Sequence, residues 1–158
     1  MSIGFTGTRN PLTLQQRTAL EMALSAAVAR GDGEFHHGAC VGADAASHLS
    51  ALARGMHVIV HPPVNESKMM PAEMLVPARG ANITVLPPKD YHARNRDIVN
   101  ASTYLLAMPD GPERPHSGTW YTIRYAESRG IIVHIVYPDG SIKTPDGTEV
   151  PVANGAMS

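Results

Sequence analysis

The chain has 158 residues, of which 43% are hydrophobic, 17% charged and 5% aromatic. That composition excludes a disordered or collagen-like chain, and the length suits one domain with its own core. Lys and Arg number 13 against 14 Asp and Glu, a net charge of −1, which argues against a broad basic face for duplex DNA and leaves room for a local basic pocket.

Cys40 is the one cysteine, so an intrachain disulfide and a cysteine-based zinc site are excluded, and a reducing cytoplasm is the expected location. No apolar run is long enough for a membrane span, and no signal peptide is expected at the start.

Ile3 to Phe5 is a short apolar strand that runs into the turn Thr6-Gly7-Thr8-Arg9-Asn10-Pro11. Thr13 caps a helix whose Leu20, Ala23, Leu24, Ala27 and Val28 recur at helical spacing, and Gly31 and Gly33 end it. Glu34 to His37 is a second strand, leading into Gly38-Ala39-Cys40-Val41-Gly42-Ala43-Asp44 and an Ala-rich helix that stops at Gly55. Met56 to Val60 is apolar throughout, as a strand covered on both faces must be.

Residues 61–80 hold four prolines and the pair Met69-Met70. They form a long loop, of the kind that is often functional. Asn82 to Leu86 is a fourth strand, Tyr91 to Asn100 a short helix, and Tyr104 to Met108 a fifth strand. A polar loop follows over 109–115, then a helix opened by Ser117-Gly118-Thr119 that runs to Arg129. Ile131 to Tyr137 is a sixth strand, and residues 138–158 carry two Pro-Asp-Gly turns that predict a hairpin extension. Alternating strands and helices predict a three-layer α/β domain, a parallel sheet with helices on both faces.

In such a sheet, ligands bind beyond the carboxyl ends of the strands. Three glycine-bearing turns fall at that edge, around Gly7, around Gly38 and Gly42, and at Gly118. Glycine admits close backbone approach, and each following helix presents free N–H groups to an anion such as phosphate. Thr8, Ser117 and Thr119 add hydroxyls, and Arg9, Arg94 and Arg96 add charge. None of the three turns is a P-loop or a GxGxxG fingerprint. His37, His61 and His92 also reach this edge, but without metal-type spacing no metal site is expected. Cys40 lies at a helix start, a place that lowers a thiol pKa, but it is read as a buried spectator, and Trp120 and Tyr121 pack within their helix unless one of them stacks on a base.

The order Gly4-Phe5-Thr6-Gly7-Thr8-Arg9, His37-Gly38-Ala39-Cys40-Val41-Gly42-Ala43-Asp44, Arg94-Asn95-Arg96-Asp97 and Ser117-Gly118-Thr119 resembles the SLOG superfamily. Within it the YspA/YpsA-like branch is the nearest match; the cytokinin-activating phosphoribohydrolases and DprA are relatives. The resemblance spans roughly residues 3–137 and implies a Rossmann-like fold with a nucleotide site. The positions it implies are Gly7, Thr8, Arg9, Gly38, Gly42, Asp44, Arg94, Asn95, Gly118 and Thr119, beside which Ala39, Ala43 and Ser117 complete the turns. In the phosphoribohydrolases a glutamate stands three residues after the Gly-Thr pair; here that position is Thr122, so Asp44 is the candidate acid.

The expectation is a protein that binds a nucleotide or phosphorylated nucleoside derivative, as a sensor or carrier. Nucleotide N-glycosidase activity is the alternative, and DprA-type single-stranded DNA binding a third. No cofactor is expected. A homo-oligomer is expected, with Met69-Met70 as a candidate lid or contact.

Overall fold

The computed structural model describes residues 1–76 and 82–151. In chain order it contains β1 (Ser2–Gly7), α1 (Leu14–Arg30), β2 (Glu34–His37), α2 (Ala43–Ala53), β3 (His57–Val60), β4 (Ile83–Val85), α3 (Tyr91–Asn100), β5 (Tyr104–Met108), α4 (Gly118–Ser128), β6 (Ile132–Val136) and β7 (Ile142–Lys143). Every strand and helix read from the sequence is present, with ends shifted by a few residues at most. The local signals explain this. Thr13 and Gln16 form a capping box at the start of α1, and Gly31 closes that helix in the left-handed conformation, φ 85°. Asp90 and Ser117 cap α3 and α4 through the amides of Ala93 and Trp120.

The sheet order is β4-β3-β2-β1-β5-β6-β7. The first six strands are parallel, and only β7 pairs antiparallel, to β6. This is the expected doubly wound α/β architecture. Chain order runs outward from β1 to β4, then returns to β5 on the other side of β1. The reversal between β1 and β5 leaves a crevice at their carboxyl ends.

The two faces alternate with the two-residue period of the strands. On one, Ile3, Phe5, Leu106 and Met108 pack with Leu20 and Leu24 of α1 and Ala43 and Ala51 of α2. On the other, Leu105, Ala107, Val133 and Ile135 pack with Val99 of α3 and with Trp120, Ile123 and Ala126 of α4.

The expected hairpin is β6–β7, turned at Gly140 (φ 88°), and a second antiparallel bridge joins Lys143 to Glu149. Residues 152–158 of that extension lie outside the described residues, as do 77–81 of the long loop. The described part of the loop forms two short 3₁₀ turns, Glu66–Lys68 and Ala72–Leu75. Met70 is 2% exposed and Met69 packs against the same core, so the pair is an anchor rather than a surface lid or contact. No described helix is long and apolar enough to cross a membrane.

One buried polar side chain ties the edge of the crevice to α1. Gln16 is 1% exposed, and its amide donates to the carbonyls of Pro109 (2.8 Å) and Val136 (3.0 Å), at the ends of β5 and β6. Gln16→Leu removes both donors and leaves two buried carbonyls unsatisfied. The expected loss is about 2–3 kcal/mol, or about 4–12 °C in melting temperature, read by calorimetry; an unchanged melting temperature would show that water replaces the amide.

Candidate functional site

A cleft of about 360 Å³ opens where β1 and β5 diverge. The low end of the range for small-molecule sites is roughly 300 Å³. Its walls include Gly7, Thr8, Arg9, Gly38, Asp44, Arg94, Asn95, Ser117, Gly118 and Thr119. Ala39, Gly42 and Ala43, also expected at the site, do not line it.

The second glycine turn departs from the expectation that its amides await an anion. The Asp44 carboxylate, in the first turn of α2, accepts from the amides of Cys40 (3.1 Å) and Gly38. The Ala39 amide donates to Nδ1 of His37, that of Val41 to the carbonyl of Lys68, and that of Ala43 to the carbonyl of Thr8. Five amides of the turn are thus satisfied inside the protein. The long loop takes part, since the Met70 amide also donates to the Ala39 carbonyl. Ala39, Gly42 and Ala43 are framework for the turn. Gly42 has φ 83°, and a Cβ there would lie 2.5 Å from the Arg9 backbone. A Cβ on Gly7 would lie 2.5 Å from Ala43 Cβ, and one on Gly38 2.5 Å from the Arg94 guanidinium. These three glycines serve close packing of the protein on itself.

Arg94 likewise differs from the expected phosphate hook. It is 4% exposed. Its Nε donates to Asn95 Oδ1 (2.7 Å), its Nη1 to the carbonyls of Gly38 and His61, and its Nη2 lies 3.7 Å from Cys40 Sγ. Four of the five guanidinium hydrogens are engaged, so Arg94 brings the ends of β2 and β3 onto α3. Arg96 is directed away from the cleft walls and donates to the Tyr121 hydroxyl.

The open donors gather at the start of α4. A Cβ on Gly118 would meet nothing nearer than Asn95 Nδ2, at 4.0 Å. Because Asn95 Oδ1 accepts from Arg94, its Nδ2 faces Gly118 as a donor. Thr119 lines the same wall, and Arg9 is exposed and has no ion pair among the described residues. The Ser117 hydroxyl caps α4, and the Thr8 hydroxyl accepts from the Asn10 amide and donates to Asp110. Both are therefore committed within the protein.

Two carboxylates share the cleft in contrasting states. Burial, the dominant influence, pushes the Asp44 carboxyl up to about 6 from 3.8, against the pull of Arg94, the two amides and Arg9. Asp110 is held below its ordinary value, chiefly by its hydrogen bond with Arg114. Asp110, Arg114, Tyr91, His92 and His116 line the cleft without having been picked out as ligand residues from the sequence. His116, at φ 62°, carried a faint signal as the residue before the helix-opening Ser117.

Cys40 lines the cleft and is buried, and burial and then Asp44 raise its thiol pKa, as befits the expected spectator and against the lowering that a helix start would give. Thr122 is fully buried and donates to the Gly118 carbonyl, so the glutamate position of the phosphoribohydrolases turns inward here. Trp120 is core. His37 pairs with His48, and His61 with His36, each at 2.9 Å. Among the described residues no three His, Cys, Asp or Glu side chains could hold a metal ion.

These geometries make two tests. Gly38→Ala and Gly42→Ala should each lower stability by about 2 kcal/mol or more, whereas Gly118→Ala should stay within about 0.5 kcal/mol of the parent; equal losses at all three would mean that Gly118 is also packed. The second test is pH. Because the folded pKa of Asp44 lies above 3.8, its protonated form favours folding, and that contribution disappears as pH rises through about 6. Asp44→Asn cannot ionise, so its stability relative to the parent should improve from pH 4 to 7 in urea titrations. Parallel pH profiles would place the Asp44 carboxyl at its ordinary value.

No family model matches the chain, and a comparison with curated proteins finds no match. Solved structures do match. The molybdenum cofactor binding protein from Rippkaea orientalis is 17% identical, with a TM-score of 0.63 over 86% of this chain and 76% of that one. DNA processing protein A from Helicobacter pylori is 19% identical, with a TM-score of 0.62 over 85% of this chain and 64% of that one, so this chain spans less than two thirds of that protein. The molybdenum cofactor carrier protein from Chlamydomonas reinhardtii is 17% identical, with a TM-score of 0.55 over 85% of this chain and 74% of that one. These likenesses show the fold, a Rossmann-like α/β sheet, which is the fold that the resemblance of the sequence motifs implies.

Proposed function

We propose that the chain binds a nucleotide or phosphorylated nucleoside derivative in the β1–β5 cleft, as a sensor or carrier. The observation that carries this reading is the unfilled space before Gly118, faced by Asn95 Nδ2, in a cleft that Thr119 and the exposed Arg9 also line. A phosphate there gains the first free amides and the positive end of α4, with charge from Arg9. The second glycine turn, whose amides Asp44 already occupies, positions this site without taking the anion. A molybdenum cofactor binding protein and a molybdenum cofactor carrier protein share this fold, which supports a binding role.

A saturating ligand, at 100 times its Kd, should raise the melting temperature by about 5–10 °C. Nucleoside monophosphates, cyclic nucleotides and a single-stranded oligonucleotide form the screen. Arg9→Ala should weaken the best ligand by about 1.5–3 kcal/mol, and Gly118→Val should abolish binding with the fold intact. Normal binding by both variants would move the ligand elsewhere.

One observation favours hydrolysis as the second reading. A carboxyl with a pKa of about 6 in a cleft, Asp44, suits general acid–base work near neutrality. Water would add at the sugar C1′ as the C1′–N bond breaks, giving ribose 5-phosphate and the free base. Asp44→Asn should then slow base release by about 100-fold; tight binding with no release from any nucleotide leaves the binding reading alone.

A further inference from the structure

We infer that the stacked pair His92–Tyr121 is the platform on which the ligand's nucleobase lies, which adds a base subsite to the phosphate site proposed above and rests on that reading. The two rings are 4.1 Å apart between centroids and 12° from parallel. Tyr121 is held by the Arg96 guanidinium, which donates to its hydroxyl at 2.9 Å. His92 lines the cleft and Tyr121 does not. His92 therefore stands between Tyr121 and the cavity.

The positions along the helices place this stack beside the phosphate donors. His92 and Asn95 are three residues apart on α3, and Gly118 and Tyr121 are three apart on α4. Residues at that spacing share a helix face. His92 thus lies one turn, about 5 Å, before Asn95 along α3, and Tyr121 one turn beyond Gly118 along α4, so the stack adjoins the wall that Asn95 and Gly118 form.

Of the other rings of the cleft, Phe5 and Tyr91 are committed, and the exposed His116 has no ring stacked behind it among the described residues. Phe5 is fully buried in the core. Tyr91 carries the guanidinium groups of Arg9 at 5.1 Å and Arg94 at 5.4 Å over its ring. His92 is exposed, and its ring nitrogens make no hydrogen bond with any described residue. A flat, exposed ring, backed by a second ring and set one helical turn from an anion site, fits the π-face of a base.

Calorimetry with AMP, UMP and ribose 5-phosphate separates the two subsites. The parent protein should bind AMP about tenfold or more tighter than ribose 5-phosphate, with UMP between them, since stacking grows with ring area. His92→Ala should collapse the AMP advantage, and His92→Phe should retain it. AMP binding the parent no tighter than ribose 5-phosphate overturns the platform while leaving the phosphate site standing. An AMP advantage that survives His92→Ala also overturns it. If neither AMP nor ribose 5-phosphate binds the parent, the phosphate reading fails and the platform with it.

Discussion

A buried carboxylate needs partners, and Asp44 organises this protein by finding them in its own loop. Its carboxyl group collects the amides of Gly38 and Cys40, with the Arg94 guanidinium beside them, hydrogen-bonded to the Gly38 and His61 carbonyls. The loop after β2 is thereby shaped from inside. Arg94 then fixes the loop after β3 and the first turn of α3, and Asn95 is oriented as a consequence. The direction in which Asn95 presents its donor into the cleft follows from how the neighbouring Arg94 guanidinium is held.

This arrangement divides labour among three turns that look alike in sequence. The turn after β1 supplies Arg9 and the Thr8 carbonyl that anchors Ala43. The turn after β2 is closed by its own acid. The turn before α4 is left open. A turn filled by its own carboxylate thus stands beside one whose helix start faces open space.

Much of the architecture was legible because its causes are local. Helix caps at Thr13, Asp90 and Ser117, stops at Gly31 and Gly55, and the apolar strands act over a few residues. The crevice also followed from alternation of strands and helices, since parallel topology leaves few choices for where ligands sit. Roles within the cleft were less legible, because they depend on partners far along the chain. Whether the Val41 amide is free depends on Lys68, and whether Thr8 has a hydroxyl to offer depends on Asp110, 102 positions away. Arg94 reads as a surface cation on a polar helix, yet tertiary contacts bury it. Asp110 carries no motif, and His92 reads as lying near this edge with no role assigned to it; the approach of β5, α3 and α4 brings both to the cavity. Met69-Met70 sits in a segment whose composition says loop, while its burial comes from pairing with Ala39 and Cys40.

The linked imidazoles of His37 and His48 have a direction. The Ala39 amide can only donate, so His37 Nδ1 accepts and its Nε2 bears the hydrogen. That hydrogen goes to His48 Nδ1, and His48 Nε2 donates in turn to the Met74 carbonyl. Backbone groups fix both ends, so an extra proton has no acceptor within the relay. Burial acts in the same sense, lowering both histidines from their ordinary value. The usual chemistry of the two residue types is therefore exchanged around this loop. The aspartate changes charge near pH 6, where a histidine ordinarily does, while the histidines hold their tautomers as inert struts. Mild acidification would recharge the floor of the cleft without loosening the clasp that carries it.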